Sequence, residues 1–294
     1  MMNYKDAFIE LWNTEFPDYP LFTELLHHAF DSPAVIPGST KLLWDKETLV
    51  GLVIIKQNYN ASTGAISMLY VHKDYRHMGY GKRLLNHALE WFKSLNIHTV
   101  TLGADYDCLF PGLINQDAIK FFEKQGFKST GKAFNLITDL KPEVKSDQFP
   151  YTFKRCEVSE VEALKAFVKS NFSYRWFKEL DSINHERLPI FIAKDKEKII
   201  AFARGNHALK DPLMHNTNYQ LRYPTLGGVG PLGVDKNYRN QGLGKAITLF
   251  ACNKLFEEGA SHVLIDWTGL TKFYEKLGFK MVDTFYTMQI DFNS

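Results

Sequence analysis

Residues 71–82 read VHKDYRHMGYGK, and residues 234–245 read VDKNYRNQGLGK. Both stretches follow the pattern V-x-K-x-Y-R-x-x-G-x-G-K, with an offset of 163 residues at every matched position. A second pair follows, FEKQGFK at residues 122–128 and YEKLGFK at residues 274–280. Two motifs that recur in the same order are not a chance event, so the sequence predicts one domain that has been duplicated.

The two copies differ in length between their motifs. The second pair is offset by 152 residues, so the first copy carries 11 extra residues, around residues 105–115. The polar segment KPEVKSDQFP, which contains two prolines, separates the halves. We therefore predict an N-terminal domain over residues 1–140, a linker over 141–150 and a C-terminal domain over 151–294.

Each glycine-containing stretch lies between a strand-like run and a helical pattern. The apolar runs end at Val71 and Val234, and apolar residues then recur at helical spacing over residues 84–92 and 247–255. Further strand-like runs cover residues 99–102, 134–138, 263–265 and 285–290. Each half is thus predicted to be α+β, with a mixed, mainly antiparallel twisted sheet flanked by helices.

Composition limits the classes of function. The 294 residues carry 35 basic and 33 acidic side chains, so no broad basic surface for nucleic acid is expected. Three cysteines lie far apart, without the spacing of a metal site. The clean apolar run over residues 49–55 is too short to span a bilayer. We expect a cytoplasmic monomer or homodimer with no metal and no membrane or nucleic-acid partner.

Two glycines between a strand and a helix suit the binding of a phosphate group, because the first amides of a helix have no partner. A Walker A loop is excluded, since Arg76 and Arg239 stand where its first glycine is required. A dinucleotide pattern, GVGPLG, does occur at residues 228–233. It is followed by VDKNYRN instead of a helix, which argues against a dinucleotide fold.

These motifs resemble those of the GNAT superfamily of N-acetyltransferases, with Lys73 and Lys236 where the family usually has proline. Residues 11–13 and 110–112 are also loosely similar to two-domain members such as mycothiol synthase. The resemblance implies that the loops and the strand ends before them bind acetyl-CoA as a co-substrate. The implied residues are Leu232, Val234, Arg239, Gln241, Gly242, Leu243, Gly244 and Lys245, and in the first half Val71, Arg76, His77, Met78, Gly79, Tyr80, Gly81 and Lys82.

One position distinguishes the two halves. The resemblance implies that Tyr274 protonates the departing thiolate, and the matched residue of the first half is Phe122. Because phenylalanine has no proton to give, we expect catalysis in the second half and a degenerate first half. Pro231 suggests that its strand splays from a neighbour there, whereas residues 67–69 show no such signal. Phe122→Tyr is therefore expected to restore little.

The general base is harder to assign. The strand before the second loop has no carboxylate, and Asp266 at the end of the next strand is the preferred candidate. An N-cap role for Asp266 stays open, as do His207 and His215 as alternative bases, a water chain, or an acceptor that needs no base. The long connection over residues 207–224 is predicted to be a functional lid.

The resemblance implies transfer of an acetyl group from acetyl-CoA to an amine, expected to be that of a small molecule, by direct attack in a ternary complex. Two alternatives remain open. One is a sensor or scaffold that binds acyl-CoA without turnover. The other is an aminoacyl transferase of the peptidoglycan-bridge type.

Overall fold

A computed structural model describes residues 3–58, 62–105, 107–142, 148–181, 189–207, 219, 221–223 and 225–292. The chain forms two compact units. Unit 1 consists of residues 1–133 with 284–294, and unit 2 consists of residues 134–283.

Unit 1 begins with two helices, and the described residues before residue 41 contain no strand. Its sheet pairs β1 with β2 and β2 with β3 in antiparallel fashion, and β3 with β4 in parallel. The elements are α1 (Tyr4–Glu15), α2 (Thr23–Phe30), β1 (Lys41–Asp45), β2 (Thr48–Gln57), β3 (Thr63–Val71), α3 (Tyr80–Ser94), β4 (Thr99–Leu102), α4 (Gln116–Lys124) and the first part of β5 (Lys128–Thr138).

Unit 2 repeats this order with one additional strand at the start. Strands β6 to β9 pair in antiparallel fashion in sequence order, and β9 pairs with β10 in parallel. The elements are β6 (Thr152–Arg155), α5 (Val161–Asn171), α6 (Tyr174–Asp181), β7 (Ile190–Asp195), β8 (Lys198–His207), β9 (Leu226–Val234), α7 (Leu243–Glu257), β10 (His262–Thr268), α8 (Thr271–Glu275) and the first part of β11 (Lys280–Asp291).

The closing strands of the two repeats are exchanged. Residues 289–291 of β11 pair with residues 99–101 of β4 in unit 1. Residues 136–138 of β5 pair with residues 263–265 of β10 in unit 2. Each compact unit is therefore completed by a strand from the other repeat, and its residues are not one continuous stretch of the chain.

The helix after each glycine loop carries the core of its unit. In α3, the predicted apolar positions Leu84, Leu85, Ala88 and Phe92 are buried. In α7, the buried positions include Ile247, Ala251 and Leu255. Each fully buried aliphatic side chain contributes about 1.5–3 kcal/mol to folding, so these stripes fix the helices against the sheets. The α+β class and the mixed sheet predicted from the sequence are confirmed.

Candidate functional site

The two glycine loops have the same backbone conformation. A single helical turn follows each strand, at Lys73–Tyr75 and at Lys236–Tyr238. The left-handed region is then entered at His77 (φ 62°) and Asn240 (φ 63°), and again at the N-caps Gly79 (φ 87°) and Gly242 (φ 82°). The second of these positions is glycine in both copies, because a left-handed φ is strained for residues with a Cβ atom.

These loops leave helix amides free to bind a ligand. The N–H of Arg83 donates to the carbonyl of Gly79 at 3.0 Å, and the N–H of Ala246 donates to that of Gly242 at 3.0 Å. The amides that come before these donors have no acceptor within their helix. They fit an anion such as a pyrophosphate, and they belong to Tyr80, Gly81 and Lys82 in unit 1 and to Leu243, Gly244 and Lys245 in unit 2.

The motif arginines brace the loops. The Nε atom of Arg76 donates to the carbonyl of Val71 at 3.0 Å, and that of Arg239 donates to Val234 at 3.1 Å. Arg76 also forms an ion pair with Glu15 of α1. Both guanidinium groups therefore hold the loop against the strand end and place positive charge beside it. Their contact with CoA, like that of Gln241, His77 and the exposed Met78, stays a prediction.

In unit 2 the strands separate beside the loop. The parallel pairing of β9 and β10 ends at Gly228 and Leu264, although both strands continue. Opposite β8, the register shifts between the pairs Val229–Gly205 and Leu232–Ala203, which leaves one extra residue in β9 at positions 230–231. The splay expected from Pro231 is thus present, and it exposes the edge of β9 up to Leu232 and Val234.

Unit 1 has a bulge at the same place, contrary to the expectation from residues 67–69. The pairing of β3 with β4 ends at Ile66 and Leu102, while β3 continues to Val71. The pairing with β2 shifts register at Ser67, which is the extra residue there. A bulge needs no proline or glycine, so it was not visible in the sequence. Unit 1 thus shares the bulge, and β3 runs on past the end of β4 with a free edge.

A cavity of about 460 Å³ lies beside the free edge of β3 in unit 1. It extends from the glycine loop, past the free edge of β3, to a wall of aromatic rings from α1 and the loop before α4. Its lining includes Gly79, Gly81 and Lys82 at the loop, residues 66–71 along the strand, Phe121 and Phe122 on α4, and Trp12, Phe16 and Phe110 at the wall. This volume is of the size that small-molecule sites have.

Gly81 keeps the cavity open next to the loop. A Cβ atom there would lie 3.4 Å from Phe121 and 3.8 Å from Val71, and all three residues line the cavity. The matched Gly244 of unit 2 would meet Val234 at 3.7 Å and Phe273 at 3.9 Å. A larger side chain at either glycine would occupy space beside the free amides, so this space suits a bound cofactor arm.

Tyr274 and Phe122 have the same surroundings. Tyr274 is 5% exposed in unit 2 and packs edge-on against Phe273 and Phe279. Burial raises the pKa of its phenol, and the charges of Cys252 and Asp266 raise it further. The phenol therefore stays protonated at neutral pH and is available as a proton donor.

Asp266 contributes a negative charge that raises the pKa of the Tyr274 phenol. It is half-buried in an irregular part of β10, where the register with β5 shifts between Ile265 and Thr268. The next residue, Trp267, has φ 44°, and its N–H donates to the Asn135 side chain at 2.9 Å. Arg175 of α6 covers the Trp267 ring at 3.9 Å. These contacts fix the end of β10 where the strands have separated.

The structure describes only some of the remaining candidate residues of unit 2. His207 is buried at the end of β8, opposite Gly227. His215 and most of the predicted lid over residues 207–224 lie outside the described residues. Tyr219 is described and fully buried, and its hydroxyl bonds to Asp283. The glycines of the dinucleotide pattern all lie within β9, and no helix begins at Gly233, so that alternative is excluded.

Sequence reasoning missed a polar group beside the bulge of unit 1. Lys56 and Asp105 form an ion pair of 3.4 Å between Nζ and Oδ2, and both side chains are fully buried. Ser67, the bulge residue, stands close to them and lines the cavity. One signal was present, because Lys56 is a charged residue directly after the apolar stretch at residues 52–55 of β2.

Within the part of the chain that the structure covers, no helix is long and apolar enough to cross a membrane. Nor do the described residues bring together three or more metal-binding side chains of His, Cys, Asp or Glu.

Comparison with known proteins identifies the fold and the family. A sequence model described as the acetyltransferase (GNAT) family matches residues 3–127 and 146–279. N-alpha-acetyltransferase 30 of Schizosaccharomyces pombe is 30% identical over 86 residues, which cover 28% of this chain and 53% of the relative.

Three solved structures share the fold across both repeats. The glucosamine N-acetyltransferase region of a fungal multi-domain GH3 β-N-acetylglucosaminidase aligns with a TM-score of 0.85 and 22% identity, over 99% of this chain and 37% of that one. A GCN5-related N-acetyltransferase of Sphaerobacter thermophilus aligns with a TM-score of 0.70 and 16% identity, over 97% of this chain and 91% of that one. A tandem GNAT protein of clavulanic acid biosynthesis aligns with a TM-score of 0.67 and 14% identity, over 97% of this chain and 94% of that one. The chain thus spans about half of the yeast relative and about a third of the fungal one.

Proposed function

The chain belongs to the acetyltransferase (GNAT) family and is an acyltransferase, and from this membership we propose that it moves an acetyl group from acetyl-CoA to the amine of a small molecule. The observation that carries the proposal is the glycine loop beside a bulged strand whose edge is free near the loop, which occurs in both units. The loop offers amides for a pyrophosphate, and the free strand edge offers backbone groups for an extended amide-bearing arm.

Catalysis is assigned to unit 2 on account of Tyr274. The amine nitrogen attacks the thioester carbonyl carbon directly, the carbon–sulfur bond breaks, and the sulfur leaves as a thiolate. The Tyr274 phenol donates its proton to that thiolate. Since a general acid accelerates such a step about 10²–10⁴-fold, Phe122 would leave unit 1 a much slower site.

Asp266 is the proposed acceptor of the proton that the amine loses. Its position at the end of β10, from which its charge raises the pKa of the Tyr274 phenol, supports this role. The compartment, the monomeric or dimeric state and the absence of other partners stay predictions.

The first acceptor to test is glucosamine, because the fungal structure that aligns over 99% of this chain is named for glucosamine N-acetylation. The assay is thiol release from acetyl-CoA with glucosamine, spermidine and 2-phenylethylamine, and mass spectrometry of the products identifies the acetylated nitrogen. Acetyl-CoA binding without amine-dependent thiol release would favour a sensor over an enzyme. Amide formation with an aminoacyl ester donor, without thiol release from acetyl-CoA, would favour the peptidoglycan-bridge alternative.

A further inference from the structure

Unit 1 contains buried polar atoms whose hydrogen-bonding capacity is not filled by the rest of the unit. The cavity of unit 1 ends at Ser67, and the buried pair of Lys56 and Asp105 lies next to it. Apart from the ion pair with Lys56 and the interaction between Ser67 and Asp105, the Ser67 hydroxyl and the Asp105 carboxylate oxygens meet no hydrogen-bond partner among the described residues. Such groups are costly to bury and call for an explanation. A bound ligand with N–H groups would supply it.

Backbone contacts fix the position of this polar group. After β4 the chain turns sharply at Gly103 (φ 67°), and a Cβ atom there would lie 2.4 Å from the carbonyl of Phe110. The amide of Gly103 donates to the carbonyl of Ile66 at 3.0 Å, so the turn is tied to the bulge. Lys56 Nζ also donates to the carbonyl of Asp107 at 3.2 Å. Asp105 is therefore kept under Ser67 from two sides.

The carboxylate is suited to accept a proton. Burial raises the pKa of Asp105, and the Lys56 ammonium and the Ser67 hydroxyl offset part of that rise. Burial makes the carboxylate a stronger base than an exposed one, while the ammonium favours its ionised form. Ser67 lines the cavity, and its buried hydroxyl interacts with this base, so Ser67 connects the base to the cavity.

The far wall of the cavity offers a ligand mainly apolar surface. Trp12 stacks on Phe110 at 5.6 Å and lies 4.4 Å from Phe16. The polar atoms of the wall are already engaged, because Trp12 Nε1 donates to the carbonyl of Tyr19 and the Tyr70 hydroxyl donates to Glu15. An aromatic or aliphatic ligand tail would therefore bind at this wall more favourably than a tail with hydroxyl groups.

From this geometry we propose that unit 1 is a second acyl-transfer site, which takes a primary amine on an aromatic or apolar tail and binds its nitrogen at Ser67. The tail packs against Trp12, Phe16 and Phe110. The proposal rests on the proposed function, because the acyl donor is the same acetyl-CoA, bound at the loop of unit 1.

The step at this site balances without a protein acid. The amine nitrogen forms a bond to the thioester carbonyl carbon, and the carbon–sulfur bond breaks. Ser67 accepts the proton of the nitrogen and passes its own to Asp105, which makes Asp105 a positioning residue and relay. The sulfur leaves as a thiolate and takes a proton from solvent. At a thiol pKa of about 8.5 such a departure is feasible, although slower than with a donor.

The missing donor suggests a gain-of-function experiment. In full-length protein with Gly244→Val, the loop of unit 2 is blocked, and the rate that remains with acetyl-CoA and 2-phenylethylamine reports on unit 1. Adding Phe122→Tyr supplies a phenol at the position that Tyr274 occupies in unit 2. Because unit 1 has a bulge and a cavity that the sequence did not predict, we now expect thiol release to rise at least tenfold, where the sequence alone predicted little effect. The double variant Gly244→Val/Gly81→Val, with both loops blocked, is the baseline.

Further variants in the Gly244→Val/Phe122→Tyr background test the polar group. Ser67→Ala is expected to raise the amine KM or lower kcat at least tenfold without changing the acetyl-CoA KM, and Ser67→Thr to restore the rate. Ser39→Ala is the matched control, since Ser39 is also buried in unit 1 (0% exposed, against 8% for Ser67) and its hydroxyl donates to the carbonyl of Ile36. Asp105→Asn should lower kcat more than it raises the amine KM.

The outcomes separate the two proposals. A wild-type chain that acetylates none of the amines overturns the proposed function. An active wild type whose Gly244→Val/Phe122→Tyr variant stays at the baseline of the double-loop variant overturns the second site alone. Turnover by unit 1 of glucosamine in place of 2-phenylethylamine contradicts the assigned class of acceptor, and equal losses in Ser67→Ala and Ser39→Ala contradict the role of Ser67.

Discussion

Tyr274 and Phe122 occupy the same position in the two units and differ by one hydroxyl group. Phe122 packs against Phe121 at 5.0 Å and 76° and against Phe127 at 5.2 Å and 71°. Tyr274 packs against Phe273 at 4.9 Å and 84° and against Phe279 at 5.8 Å and 70°. The protein therefore contains its own control for the part that this hydroxyl plays.

Replacing Tyr274 with phenylalanine tests the proton donor with little change in packing. If the phenol protonates the thiolate, kcat in unit 2 should fall about 10²–10⁴-fold, while the acetyl-CoA KM stays nearly constant. The measurement is steady-state thiol release in a Gly81→Val background, so that unit 1 does not contribute. A thermal melt confirms that the variant is folded. A kcat within about threefold of that of the parent would remove Tyr274 from the mechanism.

The two glycine loops predict two binding sites for acetyl-CoA per chain. Gly244→Val and Gly81→Val each place a side chain in the space beside the free amides. Each single variant is expected to bind one equivalent of acetyl-CoA by isothermal titration calorimetry, and the double variant none. Neither glycine has a positive φ, so valine causes no backbone strain of that kind. A single variant that still binds two equivalents would show that its loop is not a CoA site.

Repetition made much of this fold readable from the sequence. The loops, the helices after them and the strands at residues 99–102 and 285–290 are local features, and each was seen twice. The bulge at Ser67 was not predictable, because the register of β3 depends on its partner β2 and not on its own residues. The exchange of β5 and β11 was hidden for the same reason, since a strand pattern does not say which strand it pairs with.

Some features of the candidate site were predictable from the sequence, and others were not. The free amides follow from glycine spacing, and the difference between Tyr274 and Phe122 follows from alignment of the copies. The group of Lys56, Ser67 and Asp105 was not foreseen, because its members come from three separate strands and loops. Only the turn at Gly103 and the bulge bring them together.

The cysteines provide a test of burial that needs no substrate. Burial, with the charge of Glu160, raises the pKa of Cys156 to about 11, and burial raises that of Cys252 to about 12. At pH 8 a thiol with a pKa of about 11 is about 0.1% ionised, against about a quarter for an ordinary thiol. Since only the thiolate reacts, Cys156 should be alkylated about 200-fold more slowly than a free cysteine.

Peptide mapping after iodoacetamide treatment of the folded protein measures this rate for each cysteine. Glu160→Gln should speed up the alkylation of Cys156, because it removes a negative charge and leaves the Lys154 and Lys194 ammonium groups without that partner. Cys252 should stay unlabelled until the protein is unfolded in urea, which serves as the positive control. Rapid labelling of Cys252 in the folded protein would contradict its burial in the core of unit 2.

The loop of unit 2 should owe part of its stability to the Asp235 carboxylate. Asp235 is 4% exposed, accepts a hydrogen bond from the amide of Asn237 at 2.9 Å, and pairs with Lys198 at 2.8 Å. The Lys198 hydrogen bond is the main cause that lowers the pKa of Asp235. Because the Lys198 side chain is 56% exposed, solvent screens the pair, and most of the effect should come from the cap.

Two substitutions separate the cap from the charge. Asp235→Ala loses both, and at pH 7 should lower the free energy of unfolding by about 0.5–2 kcal/mol. Asp235→Asn keeps an acceptor for the Asn237 amide and should cost less. Since the folded pKa is below the unfolded value of about 3.9, the charge stabilises the fold above that pH and ceases to do so as pH falls through the folded pKa. The difference between wild type and Asp235→Asn in urea unfolding should therefore shrink from pH 7 to pH 3, and a difference that grows instead would show that the carboxylate is not stabilised in the folded protein.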